Sequence, residues 1–348
     1  MKNNYIYHLY LLLSTFTRGL VETFSLVLLY NKGFIIEEIL IFLLTMYLFG
    51  IIVNYLSLKI NYKVVLIISS LFFGTSYLYL SNNNISLLLL AVLLSISNYS
   101  YHTIRHYLAL TLVKKKDTNL LVNIMNLGII LSSIFGVLII SKLSLYTVSI
   151  ILILLMSITL FPILKLKINI KDKNKKVIIS KRKIIFNILE QFKVIFIELQ
   201  PLFLYLYVND SIIYVGIFNI IISTTTLIVF VFLSKKLTNT KFKYIAFILG
   251  IVLLLKINVN NSIILLFIAF LEGILIKIYD SYSLNYLYDI KDISIKKYLI
   301  IEEFIFFTSK SIIMLLFIGF SINIKLILLI SIIGIIISGL FYEEKLSI

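Results

Sequence analysis

The sequence predicts an all-α integral membrane protein with about twelve transmembrane helices arranged in two six-helix halves. Hydrophobic residues make up 61% of the 348 positions and charged residues only 14%, whereas soluble domains average about 45–50% and about 25%. Twelve apolar runs are candidates for crossing a bilayer, which takes about 20 residues, and the ninth and twelfth of them are short. A basic segment separates the first six runs from the last six, so the two halves are expected to be equivalent bundles.

The twelve apolar runs are numbered span 1 to span 12 in chain order. The first six cover residues 6–30, 39–58, 64–80, 85–113, 120–141 and 145–166. The other six cover residues 184–208, 212–233, 244–259, 263–288, 298–320 and 326–341. Span 1 is too long for the apolar region of a signal peptide and contains Arg18 and Glu22, so we predict that it is a retained helix.

The connection between span 6 and span 7 is the longest one. Residues 165–183 hold nine basic residues against a single acid, Asp172. We therefore predict an N-terminal six-helix bundle over residues 1–166, a basic linker over 167–183 and a C-terminal six-helix bundle over 184–348. The chain has no cysteine, which excludes disulfides and thiolate sites.

The net charge of +16 is explained by where the charges lie along the chain. The termini and the even-numbered connections hold 23 Lys and Arg residues. The odd-numbered connections are assigned four, namely Lys32, Lys142, Lys325 and Lys256, which stands near the end of span 9 and is counted with the connection that follows it. Because Lys and Arg accumulate in cytoplasmic loops, both termini are predicted to be cytoplasmic in a multi-pass protein of the inner or plasma membrane. Residues 114–116 and the linker lysines are expected to contact anionic lipids, and nucleic acid is not an expected partner.

Twelve further charged residues lie inside the predicted spans. All of them fall on spans 1, 4, 7, 10 and 11, and they are Arg18, Glu22, Arg105, Glu190, Lys193, Glu198, Glu272, Lys277, Asp280, Glu302, Glu303 and Lys310. A charge that faces lipid near the bilayer centre costs about 2.5–3.5 kcal/mol. Most of the twelve must therefore face protein, water or one another, and these five spans are expected to share a polar interior.

Helical spacing groups several of these residues on common faces. Arg18 and Glu22 are four residues apart and share a face of span 1. They are expected to form either a cavity ion pair that binds solute or a proton, or a permanent strut between helices. Glu303 and Lys310 are seven apart and nearly superpose on span 11, so we expect them to form a structural pair.

Span 4 carries a basic cluster of three residues, His102, Arg105 and His106, within one narrow arc. The two histidines have the spacing of a metal-binding pair, but no carboxylate or cysteine lies nearby in sequence. A packing or hydrogen-bonding role is therefore favoured over metal binding.

Two six-helix halves, a basic linker and polar residues concentrated on the first and fourth helices of each half resemble the major facilitator superfamily of secondary transporters. In that family these helices line a central cavity, which implies that spans 1, 4, 7 and 10 do so here. Arg105 resembles the family's intramembrane arginine associated with coupling. Residues 54–63 correspond to the family's signature loop and keep only its basic positions, Lys59 and Lys63. The resemblance covers the whole chain and implies a divergent member with degenerate signature motifs.

The expected site for solute and ions comprises Arg18, Glu22, Arg105, Glu198, Lys277 and Asp280. Arg105 and Lys277 are expected to bind anionic groups. Glu22, Glu198 or Asp280 are expected to bind a cation or a proton. Secondary candidates are His102, Lys193, Glu272, Glu303 and Lys310. The alternative is that the lysines only neutralise the carboxylates.

These features predict a secondary active transporter and not an enzyme. We expect it to move a small polar or charged solute by alternating access, as a proton-coupled symporter that is monomeric and needs no cofactor or resident metal. One alternative is a membrane-embedded transferase or polymerase that acts on lipid-linked sugars or acyl groups, with His102 and Arg105 at the reaction site. Another is a degenerate family member retained as a sensor or assembly partner.

Overall fold

The structure is a computed structural model that describes residues 2–112, 118–166, 177, 179–233, 242–287 and 294–342. Every regular element in these ranges is a helix. Span 1 consists of two helices, Lys2–Glu22 and Ser25–Asn31. Spans 2 to 6 are Ile36–Lys59, Tyr62–Ser81, Leu87–Leu112, Thr118–Lys142 and Leu145–Lys165. Spans 7 to 12 are Lys181–Tyr207, Ile212–Leu233, Phe242–Asn258, Ser262–Leu287, Ile295–Gly319 and Ile324–Phe341.

The helix ends agree with the predicted spans to within three residues, apart from the start of span 1. Several spans begin at a Ser or Asn whose side-chain oxygen accepts a hydrogen bond from the first helical turn, namely Asn61, Ser144, Ser180, Ser294 and Asn323. Span 7 begins at Lys181, so the last three residues of the expected linker are helical. Residues 167–176 and 178 of that linker, and residues 114–116, lie outside the described residues.

Nine helices in the described part of the chain are long and apolar enough to cross a membrane. The remaining three crossings are spans 7, 9 and 11. Span 9 has only 17 residues, and spans 7 and 11 carry the charges of the polar interior within their central turns.

The helix contacts repeat from the first half to the second. In the first half, span 1 packs on spans 5 and 6, span 2 on span 4, and span 3 on spans 4 and 6. The same five pairs recur six spans later, with span 7 on spans 11 and 12, span 8 on span 10, and span 9 on spans 10 and 12. The halves meet where span 2 packs on span 11 and span 5 on span 8. This confirms the predicted architecture of two pseudo-symmetric six-helix bundles.

Glycines allow span 5 to pack closely on span 1. A Cβ at Gly136 would lie 2.6 Å from the backbone oxygen of Leu20, and one at Gly128 would lie 3.1 Å from the backbone oxygen of Leu12. Small residues at such positions let helix backbones approach each other within a bilayer. This close contact holds span 1, which carries Arg18, in the interior of the first half.

Candidate functional site

Arg18 lies in the middle of span 1 and is fixed by three hydrogen bonds. One terminal nitrogen of its guanidinium donates to Ser97 Oγ at 3.1 Å and to Asn98 Oδ1 at 2.9 Å, and the other donates to Ser69 Oγ at 2.6 Å. The side chain is 3% exposed. Because the acceptors belong to spans 3 and 4, Arg18 joins three helices of the first half around one positive charge.

Aromatic rings and one carboxylate complete the surroundings of Arg18. The guanidinium carbon lies 4.6 Å from the ring centroid of Phe73 and 4.3 Å from that of Tyr101, which are cation–π contacts. Glu22 Oε1 lies 3.7 Å from the guanidinium. The expected Arg18–Glu22 pair is therefore present, but the arginine makes its hydrogen bonds with neutral groups.

A second cluster joins the two halves. Tyr47 of span 2 donates a short hydrogen bond to the Glu198 carboxylate of span 7. Lys310 Nζ of span 11 lies 3.4 Å from the same carboxylate. Glu198 is thus held by one residue from each half of the molecule.

A third cluster lies between spans 7 and 10. Lys193 Nζ donates to Asp280 Oδ1 at 2.7 Å and to Glu190 Oε1 at 3.0 Å. Its ammonium also lies 4.6 Å from the ring centroid of Tyr279, and the hydroxyl of Ser283 donates to Glu190. Lys193 therefore neutralises carboxylates, which is the alternative stated above for the lysines.

The intramembrane carboxylates divide into two groups by exposure. The side chains of Glu22, Glu198 and Asp280 are 31%, 32% and 35% exposed. The other four, Glu190, Glu272, Glu302 and Glu303, are buried. The three accessible carboxylates each lie within 4 Å of a basic side chain that is itself buried, so three ion pairs with a partly exposed carboxylate occupy the membrane-embedded part of the protein.

Tyr99 of span 4 lies at the contact between the two halves. Its ring packs edge-on against Phe307 of span 11, with centroids 4.4 Å apart. An aromatic contact therefore joins span 4 of the first half to span 11 of the second.

The basic cluster of span 4 is held by contacts within its own helix. Arg105 is half-buried, and one terminal nitrogen lies 3.2 Å from His106 Nε2. The guanidinium carbon of Arg105 lies 5.6 Å from the ring centroid of Tyr101, and that ring packs edge-on against His102 at 5.4 Å. His106 therefore makes a hydrogen-bonding contact, and His102 makes a packing contact.

Lys310 does not pair with Glu303, contrary to the sequence-based expectation. The two residues share a face of span 11, but seven residues of helix separate them by about 10 Å along the axis. Lys310 pairs instead with Glu198 of span 7. Lys277 is buried on span 10 and interacts electrostatically with Asp280 of the same helix.

Lys256 was wrongly assigned to the outer connection after span 9. It lies within that helix, and its ammonium contacts both carboxylate oxygens of Glu272 at 2.9 and 2.7 Å. Neither residue is exposed. Glu272 is therefore a buried residue of the second bundle, paired with a lysine that span 9 supplies.

The neutral residues that contact the charged side chains could not be identified from the sequence. Tyr47, Ser69, Ser97 and Asn98 hold Glu198 and Arg18, yet Ser, Asn and Tyr occur throughout the apolar spans. Within the described residues, no group of three or more His, Asp or Glu side chains is arranged to hold a metal ion.

The fold is similar to that of a solved structure described as a bacterial homologue of the iron transporter ferroportin in the outward-facing state. The similarity has a TM-score of 0.66 and covers 98% of each chain, with 11% sequence identity. No family model and no curated protein matches the sequence. At this identity the comparison establishes a shared fold over the whole chain.

Proposed function

We propose that this protein is a secondary active transporter that moves a small polar or zwitterionic solute by alternating access, in symport with protons. The supporting observation is the set of three accessible ion pairs, Arg18–Glu22, Lys310–Glu198 and Lys193–Asp280, on spans 1, 7, 10 and 11. Intramembrane ionisable residues commonly mark solute and ion pathways. A transporter fold with charges at its centre is what alternating access requires.

The solute class is proposed from the charge pattern of the site. Each accessible carboxylate has a cation beside it, so the site offers both signs of charge. A solute that carries both a positive and a negative group can interact with a carboxylate and a basic side chain at once. These two contacts replace the ion pair that the solute separates. We assign anion binding to Arg105 and Lys277, and we assign a fixed structural charge to Arg18 because three neutral acceptors already hold its guanidinium.

Proton coupling is assigned to Glu198 and Asp280. Both side chains are partly exposed, and each forms an ion pair with a lysine. A proton that binds the carboxylate competes with this ion pair. Glu198 also receives the hydrogen bond of Tyr47 from the other half. Protonation of Glu198 would remove its attraction to Lys310, and release of this contact would let the seam between spans 2 and 11 move.

We place the chain as a monomer in the inner or plasma membrane, with both termini and residues 167–183 cytoplasmic and with each six-helix half acting as one moving body. The transporter fold does not favour the transferase alternative. A metal ion is the second candidate solute, because the structural neighbour is described as a homologue of an iron transporter.

The test is solute uptake by the purified protein in liposomes with an imposed pH gradient. A panel of labelled amino acids, sugars, organic acids and Fe²⁺ is offered, and a protonophore dissipates the gradient in parallel samples. We expect gradient-dependent accumulation of a polar solute. We also expect it to be lost in Glu198→Gln and Asp280→Asn, and to persist in Glu37→Gln, which changes an exposed acid at the start of span 2.

Two results would overturn the proposal. If no solute of the panel accumulated in response to the pH gradient, proton-coupled transport would be refuted. Full accumulation in both carboxylate variants would remove these residues from coupling. Accumulation of Fe²⁺ alone would replace the polar solute by the metal candidate.

A further inference from the structure

An apolar groove runs along the seam between the two halves and opens toward the lipid. Its volume is about 360 Å³. It is lined by Ile51, Ile52 and Tyr55 of span 2 and by Ile300, Ile301 and Phe304 of span 11. Because spans 2 and 11 belong to different halves, whatever fills the groove contacts both of them.

A polar pocket follows the groove toward the end of the molecule where the chain begins. Its volume is about 180 Å³. Its polar lining comes from Ser57 near the end of span 2, Asn61 and Tyr62 at the start of span 3, Tyr107 of span 4 and Lys296 of span 11. Along span 11 the lining residues run from Phe304 in the groove to Lys296 in the pocket, so the two spaces succeed each other on one seam.

Two lysines stand at the polar end of this seam. Lys296 Nζ lies 5.5 Å from the ring centroid of Tyr107. Lys59 Nζ lies 4.1 Å from the ring centroid of Tyr55, which lines the groove. No carboxylate of the described residues lies within 4.0 Å of either ammonium. The polar end therefore carries positive charge.

A hydrogen-bond donor lies in the lining of the groove. Asn54 is 3% exposed, its side-chain oxygen accepts from Thr103, and its amide nitrogen has no hydrogen-bond partner among the described residues. Five residues separate Asn54 from Lys59, which places the donor about 7.5 Å deeper along the helix. An occupant that offers a carbonyl at this depth would satisfy the amide, since a buried unsatisfied donor is costly.

We infer that the seam binds one phospholipid of the surrounding bilayer with an anionic headgroup. The acyl chain fills the groove between spans 2 and 11, an ester carbonyl accepts from Asn54, and the phosphate lies in the polar pocket near Lys296 and Lys59. Basic pockets between membrane helices are suited to anionic lipid headgroups. The inference rests on the fold and the seam and does not depend on which solute is transported.

The test is native mass spectrometry of the purified full-length protein titrated with phosphatidylglycerol or with phosphatidylcholine of the same acyl chains. The double variant Lys59→Gln/Lys296→Gln removes the proposed headgroup contacts. The matched control Lys165→Gln/Lys243→Gln removes equal charge at the same end of the molecule, where Lys165 and Lys243 also lie over aromatic rings. Ile301→Trp, at an exposed position in the groove, fills the space for the acyl chain.

We expect phosphatidylglycerol to bind more tightly than phosphatidylcholine. Its dissociation constant should rise about thirtyfold in Lys59→Gln/Lys296→Gln, because each of the two basic residues contributes about 1 kcal/mol to such binding. The matched control should retain wild-type affinity, and Ile301→Trp should weaken both lipids. Equal affinity for the two lipids, or equal loss in the matched control, would overturn the inference.

Discussion

The buried pair between Lys256 and Glu272 offers a prediction that separates structure from transport. Replacing Lys256 with Met leaves the Glu272 carboxylate without its partner in a region where neither residue is exposed. The remaining neighbours of the ammonium are rings, with the centroid of Phe218 at 4.6 Å and that of Phe196 at 5.3 Å. No neighbour in this set can neutralise the carboxylate once the lysine is gone.

The expected cost follows from the burial of the pair. Removing one partner of a buried ion pair costs about 3–5 kcal/mol, whereas replacing both partners by apolar side chains is often neutral or stabilising. Lys256→Met should therefore lower the free energy of unfolding by about 3–5 kcal/mol. The double variant Lys256→Met/Glu272→Leu should recover most of that loss. Lys243→Met, at the exposed start of the same helix, should change little.

The assay is unfolding in mixed micelles with a rising fraction of sodium dodecyl sulfate, followed by circular dichroism because the chain has no Trp. The double variant is also tested for transport, and it should be active because Glu272 is a structural residue in our account. If Lys256→Met lowered the free energy of unfolding by less than about 1 kcal/mol, the claim that it leaves an uncompensated charge buried would be contradicted. An additive loss in the double variant would show that the two residues do not act as a pair.

Two further predictions concern the first half. Arg18→Lys keeps the charge, but an ammonium cannot reach all three acceptors that the planar guanidinium serves, so we expect a loss of about 2–4 kcal/mol in the same unfolding assay; wild-type stability would show that the fork geometry is unimportant. Gly136→Ala places a Cβ 2.6 Å from the backbone oxygen of Leu20 and should destabilise the protein by about 1–3 kcal/mol. Gly319→Ala meets no atom within 4 Å and should be neutral, and equal effects of the two substitutions would contradict the close packing of spans 1 and 5.

The spans and their division into two halves could be predicted because each crossing must bury about 20 residues of apolar helix. The confinement of charges to a few spans could be predicted for the same reason, since lipid penalises each exposed charge, but Lys256 adds a buried charge on span 9 that this prediction left out. The helix ends followed from local signals such as Asn61 and Ser180, whose side chains cap the next helix.

The partners of the charges could not be predicted, because they depend on how helices distant in sequence are aligned in depth. Lys310 shares a helical face with Glu303, yet Glu198 of another span lies at the right depth to meet it. Lys256 lies two residues before the end of its helix, where sequence alone does not distinguish a loop residue from a buried one. The contact of Tyr47 with Glu198 was not predicted, because tyrosines occur throughout the apolar spans and the sequence does not show which of them meets a charge.

The central claim is that Glu22, Glu198 and Asp280 face water in the membrane-embedded interior, whereas fully buried residues of the same spans and their neighbours do not. The chain has no native cysteine, so single variants Glu22→Cys, Glu198→Cys and Asp280→Cys can each be treated with a charged, membrane-impermeant thiol reagent in intact liposomes. Ser149→Cys, at a fully buried position, serves as the matched control, since thiols react as thiolates and need water. We predict modification of all three acidic-site variants and none of the control. Modification of the control at the same rate, or protection of all three sites, would contradict the account.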